Sequence, residues 1–202
     1  MFNLIRKDLT LQKKTLALLL LGLCIYLFLD ASPLWVGIVF SIAISMNAIS
    51  MDEKSSIHML INSLPYTRKE IVSSKYIVMV LFTLMVAATI FIGNLIIHGE
   101  LFEWKDILLM IGIVMVAISL MLPFCYKFKS NYLFIATIIG FGVYLLVINF
   151  VIQNLNDRIR ESVHMLLTLG NTQLYVLIGL LVIILYIGSW LLSIRIYRNK
   201  VF

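Results

Sequence analysis

Charged residues are scarce in this sequence. Only 13% of its 202 residues are Asp, Glu, Lys or Arg, whereas 62% are hydrophobic, and the mean hydropathy is +1.04. A soluble domain carries about 25% charged residues, so this composition excludes an ordinary soluble fold. It indicates an all-α protein that crosses a membrane several times, because a helix satisfies its own backbone hydrogen bonds in lipid.

Motifs for binding nucleotides and metals are also lacking. The sequence contains no G-x-x-x-x-G-K-[ST] and no H-E-x-x-H, the patterns that bind phosphates and zinc. His58, His98 and His164 fall in three different predicted loops, and no Asp, Glu, Lys, Arg or His lies inside a predicted span, where such residues are usually functional. We therefore expect no catalytic residue, metal or cofactor in this chain, and an integral membrane enzyme is disfavoured.

Six apolar runs approach the roughly 20 residues that a helix needs to cross the hydrocarbon. They cover about residues 15–29, 34–51, 76–97, 107–124, 132–152 and 174–194. The first run ends at a turn containing Asp30 and Pro33, which predicts a helical hairpin with the second. A cleaved leader peptide is the competing interpretation of this N-terminus, although Leu29 and Asp30 suit cleavage after Ala31 poorly.

Basic residues predict the orientation, because Lys and Arg near span ends are retained on the cytoplasmic side. With the N-terminus inside, 13 of the 16 Lys and Arg residues fall on the inner side. These are Arg6, Lys7, Lys13, Lys14, Lys54, Arg68, Lys69, Lys75, Lys127, Lys129, Arg195, Arg198 and Lys200. We therefore expect both termini to be cytoplasmic, and we attribute the net charge of +6 to this bias and to anionic membrane lipid rather than to nucleic acid.

Two shorter segments predict helices at the membrane surfaces. In MFNLIRKDLTLQKK, Phe2, Ile5 and Leu9 share one helical face, which is typical of an amphipathic helix lying on the inner surface and leading into the first span. Between the fifth and sixth spans, residues 156–169 place apolar residues at helical spacing. This pattern predicts a short helix in the outer leaflet.

The densest polar stretch is MDEKSSIHMLINSLPYTRKEIVSSKY, residues 51–76, between the second and third spans. Its first half carries one apolar stripe, typical of a short amphipathic helix, made of Ile57, Leu60, Ile61 and Leu64. Pro65 blocks continuation of that helix, and Thr67 with Glu70 forms a capping box for the helix that enters the third span. Two interpretations stay open: a helix anchored on the inner membrane surface, or a helix docked on a soluble partner.

A few polar side chains within the spans are candidates for lining a substrate path. They are Ser45, Asn47, Asn94 and Asn149. Hydrogen bonds between packed helices explain the same residues, so the pattern alone does not separate a path from helix packing.

The sequence resembles the small type-2 ABC exporter permeases. The resemblance is carried by the six-span layout, the inner N-terminal helix, the acidic residue after the second span and LINSLPYTRKEIVSSKY leading into the third. Relatives include permeases associated with antimicrobial-peptide resistance and with export of amphipathic peptides such as phenol-soluble modulins. The resemblance implies a multi-pass protein of the bacterial cytoplasmic membrane.

In that family, the segment between spans two and three is a coupling helix that contacts a separate ATP-binding subunit. The resemblance implies the same contact at the matching positions here, with a smaller contact in the turn after the fourth span. These positions are Glu53, Lys54, Ile57, His58, Leu60, Ile61, Arg68, Lys69, Glu70, Lys127 and Lys129. It also implies two copies of the ATP-binding subunit, which would hold ATP and Mg, and a second permease chain, identical or related, forming a dimer.

The resulting hypothesis is an exporter permease for an amphipathic or lipid-like substrate, such as antimicrobial or cytolytic peptides. It would work by alternating access driven by the partner ATPase. Spans without charges favour such passengers over ions. The alternative hypothesis is a non-transporting membrane scaffold or immunity protein that binds a toxic peptide.

Overall fold

The computed structural model describes residues 2–27, 32–52, 66–98, 104–128, 132, 135, 161 and 172–199. The long helices in these segments are α1 (Phe2–Leu27), α2 (Pro33–Asp52), α3 (Arg68–His98), α4 (Trp104–Lys127) and α5 (Thr172–Asn199). All five are long and apolar enough to cross a membrane. The described part of the chain is therefore an all-helical, polytopic membrane protein.

Four of the predicted spans lie within these helices. The runs at 34–51, 76–97, 107–124 and 174–194 fall inside α2, α3, α4 and α5. The predicted fifth span lies outside the described residues except for Tyr132 and Ile135, and so does the predicted outer-leaflet helix except for Glu161. The predicted coupling helix lies outside them beyond Asp52, which is the last residue of α2.

The N-terminal region differs from the prediction. The predicted amphipathic segment leads into the first span within one uninterrupted helix of 26 residues, α1, but its first half packs against the bundle. Of the predicted apolar face, Phe2 is 77% exposed, whereas Ile5 and Leu9 are half-buried against the core. The fully buried side is adjacent to it and consists of Leu4, Asp8 and Gln12. The spacing of Leu4, Asp8 and Gln12 places them on one face of the helix. Asp8 forms ion pairs with other helices, which explains why this partly polar face points into the bundle.

The central helix is α3, which contacts each of the other four. Several of its fully buried side chains are spaced by three, four or seven residues, namely Val72, Met79, Phe82, Val86 and Ile90, and Val78 and Thr83 beside them are also fully buried. At Gly37 of α2 the missing side chain permits close approach, because an added Cβ would lie 2.5 Å from Ile90 Cδ1 of α3 and would also clash with Met110 Sδ of α4.

Contacts between the helices fix their directions. Leu27 of α1 meets Gly93 of α3, and Asp8 meets Lys75, so α1 and α3 run the same way. Asp52, the last residue of α2, pairs with Lys7 and Lys75, so α2 runs opposite to both helices, and α1 and α3 begin where α2 ends. The Phe91 ring near the end of α3 contacts the Trp104 ring at the start of α4, so α4 runs opposite to α3. The Tyr126 ring near the end of α4 contacts the Tyr197 ring near the end of α5, so α4 and α5 both end where α3 begins. We call this end of the bundle the basic end; Lys7, Arg68, Lys127 and Arg198 lie there.

Length places the start of α3 beyond the membrane core. Its 31 residues rise about 46 Å at the α-helical pitch, against a hydrocarbon thickness of roughly 30 Å. The surplus lies at the basic end, where the first turns of α3 carry Arg68, Lys69, Glu70 and Lys75. Polar contacts made by these turns form the candidate functional site.

Candidate functional site

The start of α3 is held by the predicted capping box, which the structure confirms. The Thr67 amide donates to Glu70 Oε2 over 2.9 Å, and the Glu70 amide donates to Thr67 Oγ1 over 3.3 Å. The Thr67 hydroxyl also donates to Glu70 Oε2, over 2.8 Å. Two amides that a helix start leaves without intrahelical partners are thereby satisfied, and the direction in which the chain enters α3 is fixed.

Two basic residues in the same turn attach α3 to the end of α5. The Arg68 guanidinium donates to the carbonyls of Tyr197 and Arg198, over 3.0 and 3.2 Å. Carbonyls in the last turn of a helix lack intrahelical donors and carry partial negative charge, so a guanidinium suits them. Lys69 Nζ lies 5.9 Å from the centre of the Trp190 ring of α5, within reach of a cation–π contact.

Next to this turn, four charged residues form a closed ring of ion pairs, hereafter the ion-pair ring. Lys7 Nζ lies 3.0 Å from Asp8 Oδ1 and 3.5 Å from Asp52 Oδ1. Lys75 Nζ lies 2.9 Å from Asp8 Oδ2 and also pairs with Asp52 Oδ2. Each cation thus touches both carboxylates, and the ring joins α1, α2 and α3.

Burial makes the composition of the ring significant. Asp8 exposes 2% of its side chain and Lys75 7%, while Lys7 and Asp52 expose 20% and 21%. An isolated charge removed from water costs several kcal/mol, and this cost falls when opposite charges are close. Two lysines and two aspartates give the ring no net charge, so the bundle accommodates it as a neutral group.

On the adjoining face of α3, neutral side chains form a directed chain of hydrogen bonds. The Ser189 hydroxyl of α5 donates to the Ser119 carbonyl of α4, so its proton is not available to Tyr76. The Tyr76 hydroxyl, 2.7 Å from both Ser189 Oγ and Ser193 Oγ, must then donate to Ser189 and accept from Ser193. We call this sequence, Ser193 to Tyr76 to Ser189 to the Ser119 carbonyl, the hydroxyl chain.

A proline explains why the Ser119 carbonyl is free to accept this bond. Pro123 lies inside α4, four residues after Ser119. In an α-helix the amide of residue 123 would donate to the carbonyl of residue 119, but proline has no amide hydrogen. The Ser189 hydroxyl from α5 takes its place.

Two further hydrogen bonds extend the contact between α3 and α5. The Tyr186 hydroxyl donates to the Tyr76 carbonyl over 2.8 Å, and Trp190 Nε1 donates to Ser73 Oγ over 3.0 Å. The first turns of α3 therefore make ionic contacts with α1 and α2 on one side and mainly neutral contacts with α5 on another.

The predicted coupling residues are only partly within the described structure. Arg68, Lys69 and Glu70 come together at the start of α3, where the contacts given above are within the chain, and Lys127 is exposed at the end of α4. The remaining predicted coupling residues lie outside the described residues: Glu53, Lys54, Ile57, His58, Leu60, Ile61 and Lys129. Their contact with an ATP-binding subunit stays a prediction.

The predicted path residues do not meet at one place. Ser45 is buried and donates to the Ser41 carbonyl of its own helix over 2.8 Å. Asn47 is half-buried towards the basic end, whereas Asn94 is buried near the opposite end of α3, and Asn149 lies outside the described residues. The Ser45 hydroxyl is satisfied within its own helix, and a path through these positions remains a prediction.

Sequence reasoning missed the ion-pair ring. The sequence places Lys7 only among the basic residues of the inner side and Asp8 only within the amphipathic segment. The sequence does contain a signal for a polar contact, since Asp8 and Gln12 are polar residues on the side of the helix opposite its basic residues. No local pattern, however, pairs residue 8 with residue 75. Within the described segments, no three His, Cys, Asp or Glu side chains are grouped so that they could hold a metal ion.

Comparison with known proteins gives one family. A family model described as "ABC-2 family transporter protein" matches residues 3–198. No curated protein and no solved structure gives a match.

Proposed function

The chain belongs to the ABC-2 transporter family as a permease subunit of an ATP-binding-cassette transporter, and we propose that it exports an amphipathic or lipid-like substrate. The family match over residues 3–198 is the observation that carries the assignment as a permease subunit, and five helices able to cross a membrane agree with it. Members of the family work with a separate ATP-binding partner. The driving force would come from that partner, because ATP can shift the permease only by binding one conformation of the complex more tightly.

We propose that residues 53–64 form the coupling helix, called the coupling segment below. Its two flanks are anchored: Asp52 belongs to the ion-pair ring, and Thr67 with Glu70 caps α3. Movement of an ATP-binding subunit docked on this segment would therefore reach α2 and α3 directly. Arg68 and Lys69 hold the start of α3 against α5, while Lys127 and Lys129 would provide the smaller second contact with the ATP-binding subunit.

The basic end is proposed to be cytoplasmic. Among described residues, ten Lys and Arg lie in the basic-end half of the bundle: Arg6, Lys7, Lys13, Lys14, Arg68, Lys69, Lys75, Lys127, Arg195 and Arg198. Lys105 lies at the other end. This distribution favours cytoplasmic termini, in the bacterial cytoplasmic membrane.

Six spans are proposed for the whole chain. Phe128 follows the end of α4 at the basic end, whereas Thr172 begins α5 at the opposite end. A further span between these two residues would join them, as the apolar run at 132–152 predicts.

The substrate proposal rests on the composition of the spans. Apolar helices suit a passenger that is itself partly apolar, such as an antimicrobial or cytolytic peptide, and two permease chains with two ATP-binding chains would enclose its route. The competing possibility, a scaffold or immunity protein that only binds a toxic peptide, requires no ATP hydrolysis.

The test is to co-express the chain with ATP-binding-cassette proteins of the same organism, starting with any encoded near it, purify the complex and measure ATP hydrolysis and peptide export. We expect no hydrolysis by the chain alone and substrate-stimulated hydrolysis by the complex. Leu60→Asp and Glu53→Lys should weaken the complex, whereas the control Lys105→Glu, at the other end of the bundle, should not.

Unchanged complex formation in both coupling variants would reject the docking assignment. Full protection of cells when the partner carries an inactive catalytic glutamate would instead favour the immunity protein.

A further inference from the structure

The ion-pair ring joins three helices by contacts that are hard to exchange. Each of Lys7, Asp8, Lys75 and Asp52 has two oppositely charged neighbours, and Asp8 and Lys75 are almost completely buried. Separating the helices would leave charges without partners in a poorly hydrated place, which is strongly unfavourable. The contacts among α1, α2 and α3 at the basic end are therefore expected to persist while the protein changes conformation.

The contacts between α3 and α5 are of a different kind. The hydroxyl chain consists of neutral groups, and Tyr76 lies between two serines, Ser189 and Ser193, that are one helical turn apart. A serine released by Tyr76 can donate to a carbonyl one turn earlier in its own helix, as Ser45 does with Ser41. Arg68 and Lys69 also contact α5, but both are exposed. Displacement of α3 along α5 thus leaves no buried charge unpaired.

We propose that the ion-pair ring is a positioning device that makes α1, α2 and α3 respond to the ATP-binding subunit as one unit, which slides against α5 along the hydroxyl chain. This inference rests on the proposed function, since it deepens the role of the coupling segment. Asp52 connects that segment to the ring, so a displacement there acts on all three helices at once. Lys75 is the central positioning residue, because it links both aspartates to α3.

Because Lys and Asp alternate around the ion-pair ring, exchanging their charges tests the inference. Lys75→Met leaves Lys7 as the single cation beside Asp8 and Asp52 in the ring and removes the link to α3. We expect the substrate exported per ATP hydrolysed to fall about tenfold, within the usual range of coupling between sites. The pair exchange Asp8→Lys with Lys75→Asp should not restore export, because it places Lys beside Lys7 and Asp beside Asp52. Inverting all four residues restores the alternation of charge and should restore export.

Normal export per ATP in the Lys75→Met complex would overturn the inference. So would restoration by the pair exchange alone, since that result would mean an isolated ion pair. Because charge variants can fold poorly, a second experiment tests the inference without substituting any residue of the ion-pair ring.

That experiment uses cross-links in a chain whose Cys24 and Cys125 are replaced by alanine. One cysteine pair replaces Leu27 and Gly93, between α1 and α3; the matched pair replaces Ser73 and Trp190, between α3 and α5. After treatment with a short bismaleimide, we expect the first pair to retain export and the second to lose it.

Loss of export with the first cross-link, or retention with the second, would refute movement as one unit. Each chain is assayed before cross-linking as a complex with its ATP-binding partner. If that complex neither forms nor hydrolyses ATP, the proposed function itself fails, and the inference fails with it.

Discussion

Pro123 and Ser189 show how the loss of one backbone donor creates a contact between two helices. Proline removes the amide that would bond to the Ser119 carbonyl, and the Ser189 hydroxyl of α5 supplies the replacement. The same hydroxyl then directs the orientation of Tyr76. Two residues in different helices are therefore expected to be energetically coupled.

A double-mutant cycle tests this coupling. Ser189→Ala should destabilise the protein by about 0.6–1.7 kcal/mol, the range for hydrogen bonds between membrane helices, because the Ser119 carbonyl loses its donor. In the Pro123→Ala background the restored amide satisfies that carbonyl, so Ser189→Ala should cost much less. Unfolding in mixed detergent micelles measures both values; equal costs in the two backgrounds would disprove the coupling.

Local contacts could be predicted from the sequence at this scale, and distant ones could not. Thr67 and Glu70 are three residues apart, and their spacing alone specifies the reciprocal capping bonds that the structure contains. The members of the ion-pair ring are separated by up to 68 positions, from Lys7 to Lys75. Nothing in a helical pattern indicates which side chain of another helix will meet Asp8.

The positions of the helices could be predicted from the lengths of the apolar runs, except for the first half of α1. A polar first half beside an apolar second half is typical of a surface helix followed by a span, but pairing of Asp8 with Lys75 draws the first half against the bundle instead. At the level of elements, close packing elsewhere depends on Gly37, where α2 meets α3 and α4.

Matched glycine substitutions test that packing. Gly37→Ala should lower the free energy of unfolding by about 1–3 kcal/mol, as overpacking usually does, because the new methyl group meets Met110 and Ile90. Gly112→Ala is the control, since no heavy atom lies within 4 Å of the position of its Cβ, and it should be neutral or slightly stabilising. Thermal unfolding of the detergent-purified variants compares the two; equal effects would contradict the close contact.

For the whole molecule, composition and family agree on a multi-pass permease. The arrangement of helices adds a constraint that hydropathy does not contain: α1 and α3 begin, and α2, α4 and α5 end, at the basic end. Both described termini of the chain therefore lie on the same side. Hydropathy could count apolar runs, but contacts between distant helices were needed to show that α4 and α5 run in the same direction.

Cysteine labelling in intact cells tests the proposed orientation. In a chain with Cys24 and Cys125 replaced by alanine, cysteine is introduced singly at Phe2, Trp104 or Asn199, all exposed. A membrane-impermeant maleimide should label only the Trp104 position from outside, and permeabilised cells should show all three. External labelling of Phe2 or Asn199 would contradict cytoplasmic termini.

The order of the ring residues along the chain affects how the protein is made. Lys7, Asp8, Asp52 and Lys75 all precede α4 and α5 in synthesis. Each charge that would be costly to bury singly therefore has its partners before the later helices exist. During co-translational insertion, α5 then joins a core in which the ion-pair ring is already complete. The serine and tyrosine side chains that form its hydrogen bonds with α3 carry no full charge.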